Sequence, residues 1–464
     1  QEAVKHVVFS PDGRHVATSE DTAADLWEAA TGRLIHHWPN AGGELVFTPD
    51  GRALLRAGRD KIQFLDVSTA KEIRQLPVPR DSIRTLALSA DGKMVVTVGG
   101  NVLRLWDITS GRLVHDFGGK LPNFTYRVVL SPDDKLVATV EYHAVRLWET
   151  ATGKLIRELP EAANAIVGSV AFSPDGRLLA STVGTVENGQ HVGFIRLREV
   201  ATGREIRQCR GEGDATDRIA FSPDGRTLIW GGQHHSDLVV WEVATGQQRQ
   251  RLRGHQAHLW CVAVSPDGRM FASGSGDSSA LIWDATGRTR GATTTLNGAQ
   301  LEQAWTDLAS TDAAVVYRAI GSFRESPARA IQFLGQHLKP VSPADPKRLA
   351  EAIRDLDSEQ FVVRQRATQE LDRLGPLAEP ALREVLAGQP NAEVQRRVIQ
   401  LLARLEGPQW LRQLRAVEVL EFVETADARA LLTTWAAGAP EATLTKDAAA
   451  TLHRQRKRPA AHTP

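Results

Sequence analysis

The hexapeptide Phe-Ser-Pro-Asp-Gly-Arg occurs three times in the chain, at Phe9–Arg14, Phe172–Arg177 and Phe221–Arg226. Four close variants bring the number of copies to seven, and they lie at Phe47–Arg52, Leu88–Lys93, Leu130–Lys135 and Val264–Arg269. Successive copies lie 38 to 49 residues apart. A period of about forty residues indicates an array of similar structural units rather than one irregular globule.

The chemistry of the hexapeptide predicts a tight turn between two strands. Pro presets φ at the first corner, Asp suits the second, and Gly accepts the left-handed backbone that closes a hairpin. Two copies depart from this pattern, because Ala90 stands in place of Pro in the third and Asp134 in place of Gly in the fourth. Asp visits the left-handed region more readily than most residues, so we expect the fourth turn to form as well.

A second motif follows each turn. It reads Leu-Trp-Glu or a close variant, with its tryptophan at Trp27, Trp106, Trp148, Trp241 and Trp283. Leu65 and Arg198 occupy this position in the second and fifth copies. Short runs rich in Val, Leu, Ile and Thr predict four strands per repeat. A sheet of this size cannot bury both faces alone, so we expect seven sheets to stack radially into a closed ring.

The two motifs together resemble the WD40 repeat, over residues 1 to about 290. The resemblance implies an all-β, seven-bladed propeller with tryptophans packed between blades, at Trp27, Trp106, Trp148 and Trp241. Only the last repeat resembles the complete family unit. There it implies a buried hydrogen-bonded network that holds the blade, formed by His255, Ser273, Asp277 and Trp283.

The same residue types would also permit a Ser-His-Asp catalytic triad. Geometry defines a triad, and repeat positions favour the structural interpretation. His234, His235 and Asp237 lie in one loop, where we expect solvated side chains rather than a metal site. The sequence therefore predicts no catalytic residue, no metal site, no cofactor and no enzyme activity.

Positions that vary between repeats are candidates for partner contact. The residue four places before each turn motif diverges in chemistry, and in the resembled family this region faces the central opening of the ring. The side chains there define a candidate partner-binding rim of Lys5, Arg84, Tyr126, Asp217 and Trp260. The alternative is that exposed positions simply drift.

The pattern changes after the last repeat, because apolar residues then recur at helical spacing. Two helix pairs, 362–375 with 380–388 and 414–424 with 428–438, resemble HEAT repeats, and paired helices of this kind stack in a solenoid. The sequence thus predicts a multidomain chain. Its parts are an all-β propeller at 1–292, a linker at 293–300, an all-α HEAT-like domain at 301–453 and a basic disordered tail at 454–464. The long insertion that starts at Val183 is expected to project as a loop.

The composition of the chain limits the classes of function that we expect. The chain has 464 residues, with 56 Lys and Arg against 55 Asp and Glu, so its formal charge is +1. This balance disfavours nucleic-acid binding. The two cysteines, Cys209 and Cys261, are too few for a disulfide framework. Without a membrane-length apolar run or a signal-peptide pattern, we expect a soluble, cytoplasmic protein.

These features favour a non-catalytic scaffold that docks protein or peptide partners, with its oligomeric state left open. Two alternatives remain. The chain begins with Gln1 at a point within the repeat array, so we expect further sequence upstream, and the chain could be the C-terminal regulatory or sensor part of a larger signalling enzyme. The propeller channel could instead hold a small ligand.

Overall fold

The computed structural model describes residues 2–58, 60–79, 83–121, 124–212, 218–231, 236–285, 295–388, 390–405 and 407–457. The chain divides into two compact units, Gln1–Ala285 and Thr286–Pro464. The first unit consists of β-strands and the second of α-helices. The predicted order of an all-β propeller followed by a helical unit is confirmed.

Seven antiparallel sheets, here called blades 1 to 7, make up the first unit. Within each blade the strands lie side by side in chain order. Blades 1 to 6 have four strands, and the described part of blade 7 has three. The strands of blades 1 to 3 are β1 (His6–Phe9), β2 (His15–Ser19), β3 (Ala23–Glu28), β4 (Leu34–Pro39), β5 (Leu45–Phe47), β6 (Ala53–Ala57), β7 (Lys61–Asp66), β8 (Glu72–Pro77), β9 (Ile83–Leu88), β10 (Met94–Gly99), β11 (Val102–Asp107) and β12 (Leu113–Lys120). Those of blades 4 to 7 are β13 (Thr125–Leu130), β14 (Leu136–Glu141), β15 (Ala144–Glu149), β16 (Leu155–Pro160), β17 (Ile166–Phe172), β18 (Leu178–Glu187), β19 (Gln190–Glu199), β20 (Glu205–Glu212), β21 (Ile219–Phe221), β22 (Thr227–Gly231), β23 (Leu238–Glu242), β24 (Gln248–Leu252), β25 (Leu259–Val264), β26 (Met270–Ser275) and β27 (Ala280–Asp284).

The ring closes through the first strand of each blade. Each first strand packs against the next blade, and β25 of blade 7 packs against β1 of blade 1. At this last junction the Val4 N–H donates to the Ser275 carbonyl over 3.0 Å. Val4 and Val7 share a buried core there with Cys261 and Ala272. The first strands therefore line the centre of the ring and the fourth strands lie at its edge.

The turn motif fixes each hairpin and also seats it on the preceding blade. In blade 1 the Ser10 hydroxyl donates to the Asp12 carboxylate over 2.6 Å and accepts the His15 N–H over 2.9 Å. Gly13 adopts a φ of +70°, which favours glycine. A Cβ atom at Gly13 would lie 3.7 Å from Cδ of Pro266, the proline of the neighbouring turn. The same glycine-on-proline contact recurs at Gly51, Gly92, Gly176, Gly225 and Gly268.

At the junction between blades 3 and 4, here called a seam like the other junctions between neighbouring blades, a hydrogen bond replaces this contact. Asp134 stands at the glycine position with a φ of +58°. Both of its carboxylate oxygens lie 3.0 Å from the backbone nitrogen of Ala90, which stands at the proline position. Proline has no N–H to donate, so this contact requires the alanine. The two departures from the motif therefore compensate each other.

The insertion in the fifth repeat is a pair of long strands, so the prediction of a projecting loop is wrong. β18 and β19 pair over ten residues each, from Leu178↔Glu199 to Glu187↔Gln190. Asn188 and Gly189 connect them with φ values of +51° and +75°. Two consecutive residues of positive φ form the turn that best matches the twist of a hairpin, so the inserted residues extend the sheet.

Ten α-helices occupy the described part of the second unit. They are α1 (Gly298–Asp307), α2 (Ala313–Glu325), α3 (Pro327–His337), α4 (Pro346–Asp355), α5 (Phe361–Leu374), α6 (Glu379–Ala387), α7 (Ala392–Leu405), α8 (Pro408–Val423), α9 (Ala426–Ala436) and α10 (Thr443–Lys457). None of the described helices is long and apolar enough to cross a membrane.

The helices form two main cores that do not follow a simple solenoid. One core joins α4, α5, α6 and α7, where α4 packs on α5 and α6 on α7. The other joins α1, α2 and α3 to α8, α9 and α10, across the four helices between them in sequence. Buried Arg415 of α8 strengthens the long-range contact by donating to the carbonyls of Leu308 and Ser310, at the end of α1. In a solenoid each repeat contacts only its neighbours. The contact between the first three and the last three helices does not follow that rule, so the HEAT resemblance stays a prediction.

Two predicted boundaries need correction. Helix α1 begins at Gly298, inside the predicted linker, because Asn297 and Gln300 form a capping box at its start. Helix α10 continues to Lys457, inside the predicted disordered tail. The Arg454 guanidinium stabilises that end by pairing with the buried Glu421 carboxylate over 2.6 Å. Residues 458–464 lie outside the described part of the chain, as do 293 and 294.

The seam between blades 3 and 4 allows a double-mutant test. We expect Ala90→Pro alone to lower the free energy of unfolding by about 1–3 kcal/mol, because a partly buried carboxylate loses its donor. Adding Asp134→Gly to Ala90→Pro restores the glycine-on-proline contact, so the double variant is expected to regain most of that loss. Chemical denaturation of all four proteins gives the coupling energy. Additive effects of the two substitutions would show that the positions are independent.

Candidate protein-binding surface

Blade 7 contains a continuous hydrogen-bonded network. The Trp283 indole N–H donates to Ser273 Oγ over 2.8 Å. Ser273 Oγ lies 2.8 Å from His255 Nε2, and His255 Nδ1 lies 3.1 Å from the Asp277 carboxylate. Since a carboxylate only accepts, Nδ1 carries the proton and Nε2 accepts the Ser273 hydroxyl. All four residues of the predicted network thus come together in one chain of contacts.

The electrostatics of this network favour a neutral histidine. Burial lowers the pKa of His255, although the neighbouring Asp277 opposes this shift. Burial works against ionisation of Asp277 too, but hydrogen bonds from Ser279, the Gln256 N–H and His255 hold the pKa of that carboxyl far below its usual range. A neutral imidazole between a hydroxyl and a carboxylate satisfies every buried group.

This arrangement has the contacts of a catalytic triad but lacks an accessible nucleophile. Ser273 has no exposed surface. Its hydroxyl oxygen already accepts the Trp283 N–H, and a bound substrate would have to displace that contact. No cluster of three metal-ligating side chains occurs within the described ranges of the chain. His234 and His235 lie outside those ranges.

The other repeats keep parts of the network. The indole N–H groups of Trp27, Trp106 and Trp148 donate to Thr18, Thr97 and Thr139 over 2.9–3.0 Å. Trp106, Trp148 and Trp241 are buried, whereas Trp27 is half-buried. In blade 6 a second indole replaces the hydroxyl partner, and the rings of Trp230 and Trp241 lie 6.1 Å apart.

Blade 5 substitutes an ion pair for the tryptophan. Arg198 stands at the tryptophan position and lies 3.5 Å from the Ser181 hydroxyl, which occupies the place of Ser273. The Arg198 guanidinium also lies 2.5 Å from the buried carboxylate of Glu161. The interior of a blade therefore accepts different side chains at this position, and in blade 6 the buried indole N–H groups of Trp230 and Trp241 have no hydrogen-bond partner in the described part of the chain.

Four of the five predicted rim residues are described, and they lie where the first strands begin, at one mouth of the channel. Lys5 and Trp260 meet at the junction of blades 1 and 7, with the Lys5 ammonium 5.8 Å from the centre of the Trp260 ring. Arg84 and Tyr126 belong to blades 3 and 4. Asp217 lies outside the described residues.

Aromatic side chains that the sequence analysis missed complete this surface. The Arg84 guanidinium lies 3.7 Å from the centre of the Phe124 ring, and Phe124 stacks on Tyr142 at 6.0 Å. Tyr126 lies 5.8 Å from Tyr142. Phe124 and Tyr142 expose 42% and 48% of their surface, which is high for rings of this size. The loop between β14 and β15 supplies Tyr142, so a search along the first strands alone does not find it.

The second group of rim residues includes another aromatic pair. His258 packs edge-on against Trp260, with ring centres 4.9 Å apart. The Trp260 indole N–H has no hydrogen-bond partner in the described part of the chain. We call Lys5, Arg84, Phe124, Tyr126, Tyr142, His258 and Trp260 the rim surface.

Below the rim, the next position of each first strand forms a ring of polar residues. It consists of His6, Glu44, Thr85, Arg127, Ser169 and Arg218, while the corresponding residue of blade 7 is Cys261, which belongs to the apolar core around Val4 and Val7. Arg218 of blade 6 lies 3.3 Å from the Glu44 carboxylate of blade 2 and 2.9 Å from His6 Nδ1 of blade 1. Blades 6 and 2 are not neighbours, so this ion pair crosses the channel. A comparison of the seven repeats at this position would have identified the ring from sequence.

Three comparisons agree with this architecture. The family model described as "WD domain, G-beta repeat" matches residues 70–107, 153–185 and 246–284. Transducin beta-like protein 3 from Bos taurus is 29% identical over 128 residues, which are 24% of this chain and 16% of that protein. The chain thus spans less than a fifth of that relative. The structure of Kuenenia stuttgartiensis hydrazine synthase matches 61% of this chain and 96% of its own, with a TM-score of 0.54 and 17% identity.

The identity of the first unit follows from these matches and from its geometry. At 17% identity, the likeness to hydrazine synthase supports the fold alone. The seven blades, the repeated motifs and the matching family model show that this protein carries WD40 repeats in a seven-bladed β-propeller, followed by a helical C-terminal region.

The blade 7 network is open to a direct stability test. We expect Ser273→Ala to lower the free energy of unfolding by about 1–3 kcal/mol, because it leaves buried donor and acceptor groups of Trp283 and His255 unpaired. The matched control is Ser181→Ala in blade 5, whose one long contact to Arg198 predicts a loss below about 1 kcal/mol. Equal losses in denaturant titrations would contradict the role assigned to the network.

His6, which lies beside the channel ion pair, predicts that the propeller loses stability in acid. Burial, followed by the charge of Arg218, lowers the pKa of His6 to about 4, while Glu44 opposes the shift. Below about pH 6.5 the unfolded state therefore binds a proton at His6 that the folded state does not bind. The free energy of unfolding consequently falls as the pH drops towards 4. We expect wild type to lose about 2 kcal/mol more than His6→Gln between pH 7 and pH 5. Parallel losses in melting experiments would rule out His6 as the cause.

Proposed function

We propose that the protein is a non-catalytic interaction scaffold whose propeller binds a protein or peptide partner on the rim surface. The observation that carries this proposal is the exposed group of Arg84, Phe124 and Tyr142 at the channel mouth. Arginine, tyrosine and tryptophan are enriched among the residues that contribute most to binding in protein interfaces, and aromatic rings bury large areas there. The cytoplasmic location expected from the sequence belongs to this proposal.

The rim surface also has the rigidity that a binding site needs. The first strands that carry Arg84 and Tyr126 are hydrogen-bonded within their sheets and packed against neighbouring blades. Arg84 is further held by donating to the Thr125 carbonyl over 2.9 Å. Side chains fixed before binding lose little entropy when a partner docks.

The contents of the channel favour a protein partner over a small ligand in the pore. The Arg218–Glu44 pair crosses the channel, and a ligand would have to break it or work around it. The two side chains are largely buried, so separating them would leave charges without a partner. A partner that docks on the rim leaves this pair intact.

A peptide-selection experiment tests the rim. Phage that display a random peptide library are selected on the full chain, and the selected peptides are measured against variants. We expect Phe124→Ala combined with Tyr142→Ala to weaken binding at least tenfold, or by about 1.4 kcal/mol. Both rings are exposed, so the fold should persist.

The helical unit offers a matched control for this experiment. Phe361 exposes 60% of its surface and lies under the Arg364 guanidinium, much as Phe124 lies under Arg84. Phe361→Ala is expected to leave peptide affinity within about twofold of wild type. If the rim variant retained full affinity for every selected peptide, the rim would not be the binding surface.

A further inference from the structure

A cleft opens between blades 3 and 4 at the end of the ring opposite the rim surface. The turn motifs join the far ends of the first and second strands, so the cleft and the rim surface lie on opposite faces. The cleft has a volume of about 770 Å³. Its apolar lining consists of Met94, Leu105, Leu130 and Leu136, with Val114 and Ile156 on its two outer walls.

This cleft coincides with the exceptional seam of the propeller. Ala90 and Asp134 stand where other seams have proline and glycine, and Asp134 lines the cleft. Alanine lacks the ring that fills this position elsewhere. His115 of β12 lies across the seam, with Nε2 2.5 Å from the Ala151 carbonyl, and this contact ties the two outer walls together. The cleft is therefore preformed.

The outer walls of the cleft expose aliphatic side chains to solvent. Val114 and Ile156 leave 44% and 48% of their surface exposed. They lie at corresponding points of β12 and β16, one on each side of the seam. Together with the half-buried Met94, Leu130 and Leu136 and the buried Leu105, they form an apolar slot that is open to solvent.

Carboxylates dominate the polar edge of the cleft. Asp91, Asp133, Asp134 and Glu149 line it, with Lys135 as the one lysine in the lining. Lys135 pairs with Asp133 over 3.3 Å, and Lys93 pairs with Asp91 over 3.6 Å. The contacts described for Asp134 and Glu149 come from the Ala90 N–H and the Thr152 hydroxyl, which are uncharged donors.

The excess of negative charge at this edge contributes to a shift in the pKa of Asp134. Burial raises the pKa of Asp134, and the neighbouring Asp91 and Asp133 raise it further, although the Ala90 N–H opposes the shift. A cation placed at this edge would relieve the repulsion among the three carboxylates.

We propose that this cleft binds a basic, aliphatic segment of a partner protein. An aliphatic side chain of the partner enters the slot between Val114 and Ile156. Flanking Lys or Arg side chains reach the carboxylates of Asp134 and Glu149 at its edge. The apolar contact supplies affinity, and the charges select basic over acidic segments. The surface is separate from the rim surface and does not depend on it.

A labelled peptide pool tests the proposal on the full chain. Each fluorescent hexapeptide of the pool has two aliphatic residues between pairs of Lys or Arg. We expect saturable binding that weakens at least tenfold when the aliphatic pair is replaced by serine or the basic pairs by glutamate. We also expect Ile156→Ser and Glu149→Gln each to weaken binding of the pool about fivefold to tenfold.

Blade 5 provides matched controls, because Ile206 and Glu199 occupy the same positions there as Ile156 and Glu149. Thr202 donates to Glu199 as Thr152 does to Glu149. Ile206→Ser and Glu199→Gln are expected to leave affinity within about twofold of wild type. Unsaturable binding, equal affinity for the acidic peptides, or equal losses in control and cleft variants would each overturn the proposal. The combined Phe124→Ala and Tyr142→Ala variant should bind the pool as wild type does, which separates this test from that of the rim.

Discussion

The packing of β1 against β25 is the constraint on which the propeller depends. Six junctions join blades that are consecutive in sequence, but this one joins the two ends of the array. It rests on the Val4–Ser275 hydrogen bond and on a small core around Val7 and Cys261. Only a closed ring brings Arg218 within 3.3 Å of Glu44 across the channel, and only a closed ring makes the starts of the first strands converge on one mouth.

The repeated motif is best understood as a set of contacts between blades. Gly13 is glycine because its backbone has a φ of +70°, and Pro266 of the neighbouring turn lies in van der Waals contact beside it. Asp134 and Ala90 show that the same junction works with another pair of residues, provided that both change. Arg198 shows the same for the interior of a blade, where an ion pair with Glu161 replaces an indole. In these two cases, the departure from the motif comes with a partner residue that accommodates it.

The sequence predicted the parts of the fold that depend on local chemistry. Turns with Pro, Asp and Gly at fixed phase specify hairpins, so the seven blades could be counted before their packing was known. The Asn188-Gly189 turn was equally readable as a hairpin signal, but the polar insertion around it favoured a loop. In the second unit, α8 packs on α2 across five intervening helices, and no local pattern encodes a contact at that separation. The rim surface could be predicted only in part. Arg84 was predicted from its position in the repeat, whereas Phe124 and Tyr142 stand at other positions that the comparison of repeats did not include.

The two candidate surfaces follow from how a propeller divides its residues. Mid-strand residues such as Val96 and Ile195 are buried and fixed by neighbours on both sides, so they specify the ring and little else. Residues at the strand ends make fewer such contacts, and their side chains can change without breaking a seam. One end of the first strands carries the arginine and aromatic residues of the rim, and the other carries the turn carboxylates of the cleft. Because the same rigid strands connect the two ends, binding at one face need not deform the other, and the two proposed binding sites are therefore compatible with each other.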